Sequence, residues 1–183
     1  DVVAEAYNRI GKTLDEIGID GGWAEGGSYW GQTTRMSILF ADALRRTTEG
    51  RYNLYHHEKL MTNPVDFPLY ISIPPNKSLN FADAGGGSRV GAARLYNKIA
   101  IETGNPAAAW IRENWFGSGT DIFDIIWPRH TVEPKLPDAP SKHFRTIGWA
   151  VMRSDFTDTE KVVVACKAGK NDELGRASCR ERV

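Results

Sequence analysis

Ile147-Gly148-Trp149-Ala150-Val151-Met152 is where the chain changes its periodicity. Ile147, Trp149 and Val151 alternate with Gly148, Ala150 and Met152, the period of a strand with one buried face. A polar turn over residues 155–160 follows, and then Val162-Val163-Val164-Ala165-Cys166, a second β-rich run. The two read as an antiparallel hairpin. A hairpin alone is at best marginally stable, so it is expected to open a larger all-β domain.

Upstream of Pro140 the apolar spacing is helical. Val3, Tyr7, Ile10, Leu14 and Ile17 recur at three and four residues, a stripe for one buried face. Ser28 is expected to cap a second helix running to about Thr47, with Met36, Phe40, Ala43 and Leu44 inward and Arg45-Arg46 favoured by the dipole near its end. From Arg51 to Asp83, Pro64, Pro68, Pro74 and Pro75 exclude a long helix. Ser88 is expected to cap a third helix with Ala92, Leu95 and Ile99 on one face. Gly104 ends it, and Asn105-Pro106 starts a fourth as cap and first-turn proline. Ile122, Ile125 and Ile126 mark a short fifth helix closed by Pro128. The fold class is mainly α with a C-terminal β part.

Composition narrows the function classes. The chain has 23 basic and 23 acidic residues, and 41% of it is hydrophobic, as in an ordinary soluble globular protein. Its last nine residues, Gly175 to Val183, resemble a translated sequencing adapter and are set aside. Without their three Arg and one Glu, 20 basic residues face 22 acidic, a formal charge of −2. That gives no basic field for nucleic acid. No apolar run approaches the roughly 20 residues of a membrane span. Asp1 opens directly into a helical pattern, so both ends are expected to be cuts in a longer protein. Cys166 is then the one genuine cysteine, and no intrachain disulfide is expected.

The richest stretch chemically is Asp20-Gly21-Gly22-Trp23-Ala24-Glu25-Gly26-Gly27-Ser28-Tyr29-Trp30. It places an acid, a phenol and two indoles in a glycine-rich loop leading into a helix, where backbone can approach a ligand closely. Trp23 and Trp30 offer flat faces for a sugar ring, with sugar contact expected for one of the two and packing for the other. Glu25 and Tyr29 can exchange protons. The pattern reads as a carbohydrate site on a helical scaffold. His56, His57, His130 and His143 show no ligand spacing, so no metal site is read. Gly85-Gly86-Gly87-Ser88 lacks the Lys-Ser/Thr ending of a phosphate loop and reads as a flexible joint.

Three motifs, taken together, resemble the heparinase II/III-like polysaccharide lyases. They are Asp20-Gly21 with Glu25 and Tyr29 before a helix, Asn80-Phe81-Ala82-Asp83, and Ile147 to Asp155 opening a β part. The resemblance spans roughly residues 1–172. It implies an incomplete α/α toroid over residues 1–128, a linker over 129–143 and the start of a β-sandwich over 144–174, with 175–183 as the tail. It also implies β-elimination on a uronic acid-containing glycan of the heparin, heparan sulfate or alginate kind, in the periplasm or outside the cell. Tyr29 matches the family's catalytic tyrosine. An ordinary phenol, with a pKa of about 10, is ionised once in roughly a thousand molecules at neutral pH, a gap of about 4 kcal/mol, so it serves readily as proton donor.

Beside Tyr29, Glu25 could orient the phenol, contact sugar hydroxyls or be a solvated loop acid. Gln32, one turn on, could hydrogen-bond substrate. Arg35, Arg89, Arg94 and Arg129 are candidates for neutralising a uronate through a forked hydrogen-bond pair. Arg153, within the strand motif, is read as structural. Asp83 could face the cleft or cap the following loop. The family's Asn/His motif would precede Asp1, and its His-rich segment, which in some members holds a metal, would follow Asp172. No cofactor is therefore read from the residues present. The competing expectations are a glycoside hydrolase with Glu25 as acid and Asp20 or Asp83 as second carboxylate, or a non-catalytic glycan-binding relative.

Overall fold

The computed structural model describes residues 1–75, 77–84, 89–117 and 122–168. Helix α1 (Val2–Asp15) starts at Asp1, whose carboxylate accepts from the Val3 amide at 3.0 Å. The tyrosine-bearing loop leads into α2 (Gly27–Thr47), the longest helix, with Arg45 and Arg46 in its last turn as expected. Its cap differs from expectation. Gly26 occupies the N-cap position without a side-chain hydrogen bond, and Ser28 is already inside the helix.

The proline-rich stretch holds only short elements: a 3-10 turn at Leu54–His56, α3 (Glu58–Met61) and α4 (Asp66–Ile71). A two-stranded ribbon, β1 (Ser72–Ile73) with β2 (Lys77–Ser78), then turns around a cis Pro74-Pro75 bond. Ser88 and the Gly85–Gly87 run lie outside the described residues. Helix α5 (Ala93–Thr103) begins after Ala92, without a side-chain cap. Gly104 closes it in the left-handed conformation, and Asn105 caps α6 (Pro106–Phe116) by accepting from the Ala108 amide at 3.0 Å. Both ends fall where the sequence predicts them. Helix α7 (Phe123–Ile126) is short, and Ile122, Ile125 and Ile126 are exposed while the adjoining Trp127 is buried.

The C-terminal part is a three-stranded antiparallel sheet in the order β3-β4-β5: β3 (Lys142–Phe144), β4 (Trp149–Arg153) and β5 (Val163–Lys167). Strand β3, which pairs Phe144 with Trp149, begins within the stretch expected to be linker. Alternation on β4 is as expected, with Trp149, Val151 and Arg153 buried and Met152 exposed.

One hydrophobic core runs from Leu14 of α1 through α2, α4, α5 and α6 to Phe144, Ile147 and Trp149. The expected inward face of α2 needs correction. Met36 is 56% exposed and Ala43 is also outward, whereas Trp30, Thr34, Ser37, Ile38, Ala41 and Asp42 are buried beside Leu44. The packed face uses small and polar side chains, which hydropathy alone does not pick out. Among the described residues no helix is long and apolar enough to cross a membrane.

Candidate functional site

The three motifs of the sequence meet in space. Asp20 spends both carboxylate oxygens on backbone: Oδ1 accepts from the Gly22 amide at 3.0 Å and Oδ2 from the Thr146 amide at 3.2 Å, tying the loop to the β part. Gly26 has a φ of 91°, and a Cβ there would lie 2.8 Å from the Phe81 carbonyl oxygen, so the second motif presses on the first where only glycine fits. The Phe81 ring packs edge-on to Trp149 of the third motif, with centroids 5.2 Å apart. The head of α2 is thus fixed from both sides.

Tyr29 stands on that head with its side chain open to solvent, 42% exposed. Helical spacing sets it on a ridge between two recesses, since its neighbour one turn on, Gln32, lines one and Thr33 lines the other. The first recess, a cavity of about 260 Å³, is bounded on α2 by Ser28, Gln32 and Arg35, and across from it by Ser78 and Arg89. No acidic side chain is among its described lining residues. The second, about 690 Å³, holds Trp23 and Glu25 together with Glu16, and no Lys or Arg is among its described lining residues. The two sides of the ridge therefore differ in sign.

The candidates named from sequence are divided by this geometry. Gln32 belongs to the cationic side, Trp23 and Glu25 belong to the acidic side, and Tyr29 lines neither recess but stands on the ridge between them. Trp30 is 3% exposed and stacks on Tyr96 at 6.3 Å, so it is a packing residue and Trp23 is the indole left near the surface. Asp83 is exposed. Asp20, engaged by two amides, is a brace rather than a second free carboxylate.

The four arginines can now be ranked. Arg129 pairs with Glu113 at 3.3 Å, Arg94 sits over the Phe123 ring at 5.2 Å, and Arg89 donates to the carbonyls of Pro75 and Trp115. Arg35 lines the first recess, is exposed, and has no ion-pair partner among the described residues. Of the four it is the cation left free to meet a carboxylate in that recess. Of the histidines, His57 lies 3.4 Å from Asp15 and His56 is 3.2 Å from the Asn53 amide nitrogen. His130 is buried, and that burial lowers its pKa despite the pull of Glu113. Among the described residues no group of three or more His, Cys, Asp or Glu side chains is placed to hold a metal ion.

The sequence reading missed a buried ionic cluster behind the site. Lys98 Nζ is 2.9 Å from Asp42 and 2.7 Å from Glu102, Arg45 grips Glu102 with two 2.8 Å bonds, and the Trp127 indole donates to Asp42 at 3.0 Å. Burial pushes both carboxyls upward, but hydrogen bonds from Lys98, Trp127 and Arg46 to Asp42, and from Arg45 and Lys98 to Glu102, hold them below the ordinary range. The i, i+4 pairs Asp42–Arg46 and Lys98–Glu102 were visible in the sequence, where such pairs usually mean a solvated face. No protein-family model matches the chain, and no curated protein matches it.

Proposed function

We propose that the chain belongs to a polysaccharide lyase that cleaves uronic acid-containing glycans by β-elimination, with Tyr29 as the proton donor. In that reading its helices form part of an α/α toroid and its three strands open a β-sandwich. A periplasmic or extracellular location goes with such a substrate. The observation that supports the proposal is an exposed phenol at the head of α2, next in the helix to a recess that bears Gln32, Arg35 and Arg89 and has no acid among its described lining residues.

The chemistry follows from that pairing. A base removes the proton at C5 of the uronate, a C4–C5 double bond forms, and the bond from C4 to the glycosidic oxygen breaks. Tyr29 gives its proton to the departing oxygen and recovers one from solvent, to which it is open. Arg35 meets the uronate carboxylate, whose charge increases in the enolate-like transition state, and a charge-assisted forked pair is stronger there than in the ground state. Gln32 contacts a sugar hydroxyl from the same face of α2.

The test is to incubate the full-length protein that contains this chain with acidic glycans and follow the ultraviolet absorbance of an unsaturated uronate. Tyr29→Phe should lower turnover by about 10²–10⁴ while leaving glycan binding intact, the usual loss for a positioned general acid. Product formation at the wild-type rate would remove Tyr29 from the reaction. A second reading draws on the other recess, where Glu16 and Glu25 both line a cavity beside Trp23. Two carboxylates flanking a sugar site suit a glycoside hydrolase, with Glu16 taking the place expected for Asp20. That enzyme releases saturated ends, and Glu25→Gln abolishes their formation.

A further inference from the structure

Across Arg89 from the first recess lies another, of about 250 Å³, where the β1–β2 turn, α6 and the loop after β4 come together. Three cations line it, Lys77, Arg89 and Arg153, and no acidic side chain is among its described lining residues. Arg153 is 5% exposed, yet its hydrogen bonds go to carbonyls: Nη1 donates to Ser72 at 2.8 Å and Nη2 to Tyr70, the buried Nε has no hydrogen-bond partner, and the guanidinium lies 5.4 Å from the centre of the Phe156 ring. Arg89 likewise donates to the carbonyls of Pro75 and Trp115. None of the three cations pairs with a carboxylate among the described residues. Burial depresses the Arg153 pKa to about 10, and it lowers that of Arg89 too, so the folded protein holds these charges at a disadvantage that an anion would relieve.

The remaining lining suits a sugar. Trp110 and Trp115 are half-buried and supply aromatic faces. Asn114 donates Nδ2 to the Trp110 carbonyl at 2.9 Å, which fixes the side chain and leaves Oδ1 for a hydroxyl. Arg89 lines both this recess and the one beside Tyr29. A chain held at the first recess and continuing past Arg89 enters the second.

We propose that the Lys77–Arg89–Arg153 recess is a second subsite, taking an anionic sugar residue of the same glycan chain whose reacting residue lies beside Tyr29. The choice of a saccharide rests on the lyase reading; the preference for an anion rests on the unneutralised cations.

The test measures binding apart from turnover, using the whole chain carrying Tyr29→Phe and a polyuronate oligosaccharide, followed by calorimetry. Lys77 is exposed, so Lys77→Glu should leave the melting temperature unchanged. It should weaken binding about tenfold, with Lys77→Arg close to the parent and Asn114→Ala a few-fold weaker. The carboxyl-reduced oligosaccharide should bind weakly and without regard to residue 77. Equal affinity of the parent and Lys77→Glu, or no measurable binding, overturns the subsite. The two readings fail separately. Unsaturated product with a KM indifferent to Lys77→Glu sinks the subsite and keeps the lyase, whereas charge-sensitive binding without unsaturated product keeps the subsite and sinks the lyase.

Discussion

Gly26 decides where Tyr29 points. Its φ of 91° lies in the region that disfavours a side chain, and a Cβ would sit 2.8 Å from the Phe81 oxygen and 3.2 Å from the Ala84 side chain. Because α2 starts at the next residue, any shift that relieves this contact moves the phenol as well. Gly26→Ala should therefore destabilise the fold by about 1–3 kcal/mol, combining backbone strain with the clash. In a chain of this size that lowers the melting temperature by about 2–12 °C. Gly11 gives the internal contrast. It lies inside α1, with nothing within 4 Å of a built Cβ, so Gly11→Ala should stabilise by about 0.5–1 kcal/mol. Thermal melts of the two variants should move in opposite directions, and a Gly26→Ala protein melting with wild type would show that the loop tolerates a side chain there.

At the level of elements, the stop at Gly104 and the start at Asn105 were legible, whereas the N-cap and the buried face of α2 were not. Gly104 and Asn105-Pro106 announce a stop and a start through backbone chemistry that acts over three or four residues, and the structure keeps both. The extent of α2 was equally plain. Its buried face was not, because Thr34, Ser37 and Asp42 are all turned inward, Asp42 toward Lys98 and Trp127 far along the chain. Strand β3 was hidden for the same reason, since Lys142-His143-Phe144 is extended only through its pairing with β4. Tyr29 could be named as a candidate from its motif; the recess of Arg35 and Arg89 could not, since it exists only when α2 meets the segment before α5.

The ionic cluster that displaced the expected face carries a prediction of its own. Asp42 and Glu102 have folded-state pKa values below their ordinary ones, so each adds stability that is full above the ordinary carboxylate range and lost as pH falls through the folded value. Wild-type stability should decline below about pH 4. Lys98→Met leaves two buried carboxylates short of a cation and should cost about 3–5 kcal/mol at neutral pH. In that variant protonating either acid removes stranded charge, so acidification should recover part of the loss. Denaturant titrations at neutral and acidic pH read both slopes, and a variant whose stability follows the wild-type pH course would remove Lys98 as the neutralising group.

For the whole molecule, the question is whether the sheet stands apart from the helices. Trp149 answers it by position. It is 1% exposed, lies 5.5 Å from the Phe67 ring of α4 and 5.2 Å from Phe81, and belongs to the same core as Leu14 of α1. Arg153, two pleats along β4, reaches the Tyr70 and Ser72 carbonyls on the helical side. Asp20 closes a third tie through the Thr146 amide. With apolar packing, buried hydrogen bonds and a loop brace all crossing the same boundary, the sheet has no core of its own to keep when the helices let go. The described residues should then unfold as one cooperative unit, with far-ultraviolet circular dichroism and tryptophan fluorescence reporting the same transition. Trp149→Ala should lower it by about 3–5 kcal/mol, the usual loss for truncating a buried indole, and should do so identically by both probes. The same substitution frees Phe81, and through it the backbone pressed against Gly26. Two separated transitions, or a variant in which only the sheet melts early, would mean that the β part holds together without the helices.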